Sequence, residues 1–215
     1  MSTPRIFHEN VEVYLARLAV SGPAPHPVLR EMEEEAARRA FPIVGPEVGR
    51  FFRQTAMLTR PRRVLELGSG FGYSAVWWAL GAPEAEIHLT DFSQPNLDLA
   101  RNYAGRAGIA DRLHFHKGDA LKVAQALPGP WDIVFCDIDK EAYPAALEFA
   151  AEVLAPGGVL LYDNMLWDGR VALPEEEWDR DTEAVATTTR AIYRDPRWVA
   201  SLLPVRDGIL MSVRR

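Results

Sequence analysis

Two short segments of this chain concentrate oxygen ligands. One reads Cys136-Asp137-Ile138-Asp139-Lys140 and the other Leu161-Tyr162-Asp163-Asn164. Asp137, Asp163 and Asn164 are the donors a hard dication takes. Magnesium prefers about six oxygens, and three from protein, two from a vicinal diol and one water would fill that shell; calcium or manganese would accept similar donors. Lys140 stands three residues after Asp137, so a helix or turn starting there puts both on one face. A phenol has a pKa of about 10. Metal coordination would lower it, and a nearby lysine could take the proton as general base. Each residue also has a plainer reading alone: an Asp as a helix N-cap, Asp163-Asn164 as a turn, Lys140 as a surface lysine. Their convergence would favour the metal.

A third segment, Glu66-Leu67-Gly68-Ser69-Gly70-Phe71-Gly72-Tyr73-Ser74, follows an apolar run. Glycines there allow positive φ and a close backbone approach to a ligand, and a following helix offers unpaired N–H groups. The dinucleotide fingerprint is G-x-G-x-x-G; here the spacing is G-x-G-x-G, with Tyr73 in the third glycine's place. Asp91 lies about 20 residues on, where a carboxylate can accept from both ribose hydroxyls. Asp119-Ala120 lies where an adenine pocket would be expected.

These groups need a scaffold that brings strand ends together. Residues 28–40 read as a helix with a solvated face. From residue 62 the pattern alternates: strands at 63–67, 86–90, 113–116, 131–136 and 159–162, with helices at 74–80 and 94–107 between the first three. Tyr143, Ala146, Leu147, Ala150, Val153 and Leu154 follow a helical period before Pro156-Gly157-Gly158. Strands separated by such helices imply βαβ units and a parallel sheet, in which ligands bind outside the carboxyl ends of the strands. Residues 199–203 and 209–213 flank Asp207-Gly208 and suggest an antiparallel pair. The acidic stretch 174–183 reads as a solvated mobile loop or a helix start. His114 and His116 share one face of a strand; lacking a third ligand nearby, they read as strand surface rather than as a metal pair.

The chain has 215 residues, 48% hydrophobic, with net charge −6, which suits one domain over 1–215: a helical segment at 1–60 and an α/β core at 61–215. The acidic balance argues against nucleic acid or a membrane surface as partner, since both are polyanionic. Cys136 is the single cysteine, which excludes an intramolecular disulfide and suits a cytoplasmic setting.

These motifs resemble the cation-dependent O-methyltransferases: the caffeoyl-CoA O-methyltransferase group, its bacterial relatives and, more distantly, catechol O-methyltransferase. The segments that carry the resemblance are LELGSGFGYS, GDA, FCDIDKEAY, APGGVLLYDNMLWDGRV, DPRW and LPVRDGI. It implies a Rossmann-like class I methyltransferase fold: a mostly parallel seven-stranded sheet, helices on both faces, and a C-terminal antiparallel strand pair. It also implies S-adenosylmethionine (SAM) as methyl donor, a divalent cation, a catechol-like small-molecule acceptor and a homodimer. Asp137, Asp163 and Asn164 would hold the metal, with Asp137 also close to cofactor and acceptor, and Lys140 would be the base. Glu66 and Asp91 would engage the ribose and its surroundings. Gly68, Ser69 and Ser74 would line the methionine end, with Gly70 and Gly72 of the turn also on the cofactor. Ala120 would contact the adenine, with Asp119 beside it in the cofactor site, and Val44 would add another contact. Lys140, Trp167 and Asp168 would face the acceptor.

The chain departs from the resemblance at Asp168, Thr189 and Ser201, which leaves the acceptor open among a CoA ester, a flavonoid and a free catechol. Two rival readings remain, a nicotinamide-dependent oxidoreductase and a non-catalytic nucleoside-binding module. Tyr73 and the oxygen cluster count against the first, and the retained Asp/Asp/Asn and Lys set against the second. Ile6, Phe7, Val11, Tyr14, Leu15 and Leu18 could pack on the domain, on a second subunit, or over the site as a lid.

Overall fold

The computed structural model describes residues 10–215; Ile6 and Phe7 lie outside them. Three helices come first, α1 (Val11–Ser21), α2 (Pro27–Arg39) and α3 (Gly45–Thr59). There follow β1 (Arg63–Leu67), α4 (Tyr73–Gly81), β2 (Glu86–Asp91), α5 (Gln94–Arg106), β3 (Leu113–Lys117), α6 (Ala120–Gln125), β4 (Trp131–Cys136), α7 (Tyr143–Val153), β5 (Leu154–Tyr162), α8 (Arg180–Arg194), β6 (Trp198–Leu203) and β7 (Ile209–Arg214).

The sheet has seven strands in the order β3-β2-β1-β4-β5-β7-β6. The first five run parallel, and β7 inserts antiparallel between β5 and β6. The expected mostly parallel sheet with a C-terminal antiparallel pair is therefore present. Strand order reverses at β1 and β4, so the crevice of an open α/β sheet falls between their carboxyl ends. Asp132 sets their register: its Oδ2 accepts the Arg62 and Arg63 N–H groups at 2.7 and 2.9 Å.

Side chains alternate across the sheet, and each face is covered. Val64, Ile87, Leu89 and Phe135 pack with α2, α3, α4 and α5, where Phe52 stacks on Trp78 with centroids 4.3 Å apart. Leu65, Leu67, Val134 and Leu160 pack with α6, α7 and α8. The Arg112 guanidinium closes α4 by donating to the carbonyls of Ala79 and Ala82, groups a helix end otherwise leaves open, and also to that of Ala85 in the following turn.

Some boundaries differ from the sequence reading. β5 begins at Leu154, so Pro156-Gly157-Gly158 belongs to an irregular strand start rather than to the stop of α7. The acidic stretch is a helix start. Asp179 caps α8 by accepting the Thr182 N–H at 2.8 Å, and a short turn at Glu175–Glu177 precedes it. Glu175 and Asp179 pair with Arg190 and Arg170. No helix among the described residues is long and apolar enough to cross a membrane.

Candidate active site

The glycine turn leaves β1 under the reversal point. Gly68 sits at φ +84°, and a Cβ there would lie 2.2 Å from the Asp137 carbonyl oxygen, so only glycine lets the turn from β1 pass the end of β4. Thr90 pins the turn: its Oγ1 donates to the Glu66 carbonyl at 2.8 Å, and its own carbonyl accepts the Ser69 N–H at 2.9 Å. Helix α4 starts after Gly72 with no side-chain cap, so its first N–H groups are open to a ligand. A pocket of about 330 Å³ lies over this turn, bounded by Val44, Ser69, Ser74, Asp91, Ala120 and Asp137 among others. Oδ1 of Asp91 accepts the Ser93 N–H at 2.7 Å and the Asn96 amide at 3.4 Å. Among the described residues Oδ2 has no such donor, which leaves it as an acceptor beside the pocket.

A wider groove of about 2090 Å³ adjoins the pocket through Asp137, Ile138 and Asp139. Asp137, Lys140, Asp163, Asn164, Trp167 and Asp168 line it, and α1 contributes Leu15 and Leu18. β4 and β5 are hydrogen-bonded neighbours with Cys136 opposite Tyr162, and that register brings Asp137 beside Asp163. Asp163 is buried. Burial first, then the Asp137 charge, pushes its carboxyl up to about 7. Two carboxyls so placed disfavour each other's ionisation. Asn164 sits at φ +56°, and its Nδ2 donates to Asp207 Oδ2 at 3.2 Å, which leaves its Oδ1 as the group available to a metal.

Lys140 is almost fully buried, at 7% exposure. Its Nζ donates to Asp137 Oδ1 at 3.2 Å, to the Ile138 carbonyl at 3.2 Å and to the Tyr143 hydroxyl at 2.7 Å. These are three acceptors for the three N–H bonds of an ammonium. Tyr143 in turn donates to the Asp163 carbonyl at 2.9 Å. Burial, then the Asp137 charge, holds its phenol well above the ordinary range, so it stays a hydroxyl.

A family model described as O-methyltransferase matches residues 19–215. The chain belongs to the O-methyltransferase family. Caffeoyl-CoA O-methyltransferase 1 of Eucalyptus globulus is 30% identical over 203 residues, covering 88% of this chain and 82% of its own length. Tricin synthase 2 of Oryza sativa subsp. japonica is 30% identical over 220 residues, covering 96% and 75%. An O-methyltransferase from Bacillus cereus, solved in complex with SAH, superposes with a TM-score of 0.83 at 28% identity over 95% of this chain and 97% of that one. The sequence-based identification as a class I, SAM-dependent O-methyltransferase agrees with these matches.

Most of the residues singled out from the sequence of this methyltransferase meet at the site. Val44, Gly68, Ser69, Gly70, Ser74, Asp91, Ala120 and Asp137 border the smaller pocket, and Asp137, Lys140, Asp163, Asn164, Trp167 and Asp168 the larger groove. Three lie outside the pocket linings. Glu66 has 0% exposure and sits behind the turn; the Ser74 hydroxyl and Trp78 indole lie near without closing a hydrogen bond to either carboxylate oxygen. Gly72 packs toward Ala100. Asp119 caps α6 through the Lys122 N–H at 3.0 Å. Asp168 donates its backbone N–H to Asp207 Oδ1 at 2.7 Å.

Residues given no role from the sequence include Tyr143, which touches Lys140 and Asp163, and Asp207, which positions Asn164 and Asp168. Tyr143 was in view as the last residue of FCDIDKEAY, and Asp207 as the turn between two strands. Phe92, 67% exposed at the rim of the small pocket, had only its place after Asp91 to mark it.

Proposed function

We propose that this methyltransferase moves the methyl group of SAM to one hydroxyl of a vicinal dihydroxy aromatic, with a divalent cation held by Asp137, Asp163 and Asn164. The observation that carries the reading is the meeting of these three oxygen ligands at two neighbouring strand ends, where the small pocket opens into the groove. The donor set is all oxygen, which suits magnesium, calcium or manganese. When bound, the cation supplies Lewis acidity that lowers the pKa of a chelated diol.

The chain's own residues do the rest. Asp91, with one carboxylate oxygen open, holds the ribose of the methyl donor. The backbone of the Gly68–Gly72 turn and the N-terminus of α4 receive its methionine end, with Ser69 and Ser74. Ala120 and Val44 border the purine side. Trp167 and Asp168 flank the acceptor. The donor carries the electrophile, so positioning of the acceptor oxygen is the larger part of catalysis. Lys140 acts as base once its ammonium has lost a proton.

The test is a methyl-transfer screen over catechols and monophenols, with and without EDTA. Turnover is expected for catechols only and is lost in EDTA. Equal rates on both acceptor classes, or full activity in EDTA, overturns the reading. The chain is further proposed to work as a cytoplasmic homodimer. Tyr14 and Leu18 on α1 are 64% and 54% exposed, and light scattering giving only the monomer mass at micromolar concentration refutes that assembly.

A further inference from the structure

A second cluster of metal-ligating side chains lies on the sheet, away from the oxygen ligands. β3 is an edge strand of the sheet, and its parallel register with β2 sets His88 opposite His114. Glu86 lies two residues before His88 on β2 and therefore on the same face. One ligand atom from each of Glu86, His88 and His114 lies within 4.8 Å of the other two. The His88 and His114 rings approach to 4.4 Å between centroids at a 30° tilt. The sequence offered only His114 and His116 as a pair on one strand. The β2–β3 register instead brings Glu86 and His88 to His114, from a strand more than 20 residues earlier.

His116 has a different part. Its Nε2 lies 3.0 Å from His88 Nδ1. A ring nitrogen tied to an outer partner is the usual way a metal-binding imidazole is oriented and its tautomer set. In the tautomer whose Nδ1–H points at His116, His88 Nε2 carries a lone pair; that atom is buried with no hydrogen-bond partner among the described residues. Buried nitrogens are rarely left so. The Arg63 guanidinium is held elsewhere: it donates to the Pro128 carbonyl at 2.6 Å and lies 4.1 Å from the Trp131 ring centroid. Glu86 is exposed and makes no ion pair among the described residues.

We propose that Glu86, His88 and His114 form a binding site for a zinc-type transition-metal dication, with His116 as the residue that orients His88. Two imidazoles and one carboxylate suit zinc, copper or nickel rather than magnesium, and three protein ligands leave one coordination position for water. Asp91 ends β2 beside the donor pocket, whereas Glu86 begins it, so the ion sits toward the opposite end of the strand. Its place fits a clamp of edge strand β3 onto β2, not a part of methyl transfer, and it is independent of the function proposed above.

The experiment uses untagged protein stripped by a chelator and then held in excess Mg²⁺ to occupy the oxygen site. Zinc chloride is titrated in by calorimetry. Wild type is expected to take up one zinc ion per chain and to melt at higher temperature with it. His114→Ala and Glu86→Gln should weaken zinc at least tenfold and lose the thermal shift, while methyl transfer with Mg²⁺ stays at the wild-type rate. His88→Ala should do likewise; if it fails to fold, the other two variants decide. Asp163→Ala should keep zinc affinity unchanged. No zinc uptake by wild type at micromolar concentration, or equal affinity in His114→Ala, overturns the proposal. Loss of zinc in Asp163→Ala but not in His114→Ala places the ion at the oxygen ligands and overturns it too.

Discussion

The Tyr143 hydroxyl accepts a hydrogen bond from Lys140 Nζ at 2.7 Å and donates its own to the Asp163 carbonyl at 2.9 Å. One buried phenol thus links the proposed base to the strand end that carries two of the proposed metal ligands. It fixes the lysine without competing for the proton, because burial keeps it a hydroxyl. Tyr143→Phe keeps the ring and removes both bonds. A fall in kcat of roughly tenfold is expected, matching one lost hydrogen bond to a charged group, with KM for the donor unchanged. A matching fall in donor affinity instead would show that Tyr143 serves the fold alone.

Lys140→Ala should bind donor and metal as wild type does and slow the chemical step by roughly 10²–10⁴-fold, the usual scale for a lost general base. Its rate should rise with pH, because more of the diol ionises unaided. Single-turnover rates across pH 6.5–9.5 read this out. A flat profile in the variant would remove the base role.

Asp163→Ala takes one of the three proposed oxygen ligands and one of the two adjacent carboxylates. Turnover should fall to the level of EDTA-treated wild type, while calorimetry still records donor binding. Activity that survives in Asp163→Ala at ordinary Mg²⁺ would break the assigned ligand set.

Asp91 keeps one carboxylate oxygen free beside the pocket while the other is tied to Ser93 and Asn96. Asp91→Ala should weaken SAH at least tenfold, since two ribose hydroxyls lose a charged acceptor. Unchanged affinity would mean the ribose lies elsewhere.

Glu66 carries a pH dependence of stability. Burial raises its carboxyl from 4.5 to about 8 in the folded chain. Between those values the unfolded chain has lost the proton and the folded chain keeps it, so stability falls as pH rises, with a slope of at most about 1.4 kcal/mol per pH unit, and levels off above the folded value. Below 4.5 both states are protonated and the penalty vanishes. Glu66→Gln stays neutral and should gain on wild type in urea melts from pH 5 to pH 8, with a constant difference beyond. Parallel stability curves over that range would show that Glu66 is ionised in the fold.

Much of this molecule is determined by its sequence alone. The spans of β1 and β4, the helix after the glycine turn and the antiparallel C-terminal pair follow from residue period and turn chemistry, which act between near neighbours. The chemical types at the site were legible for the same reason: Asp137, Asp163 and Asn164 end their strands, and in a parallel sheet strand ends meet. Helix α8 was visible only at its start, because its buried face uses Thr182 and Thr188 beside Val185 and Ile192, and threonine reads as polar until something packs on it. Only the tertiary structure decided which acids serve a pocket. Asp91 and Asp119 look alike after their strands, yet one borders the donor pocket and the other caps a six-residue helix. Glu66 faces away from the turn it precedes because alternate residues of β1 point to opposite faces of the sheet, and its face is the core under α4. Register between strands is a long-range property, and it alone set His88 against His114 and Asp137 beside Asp163.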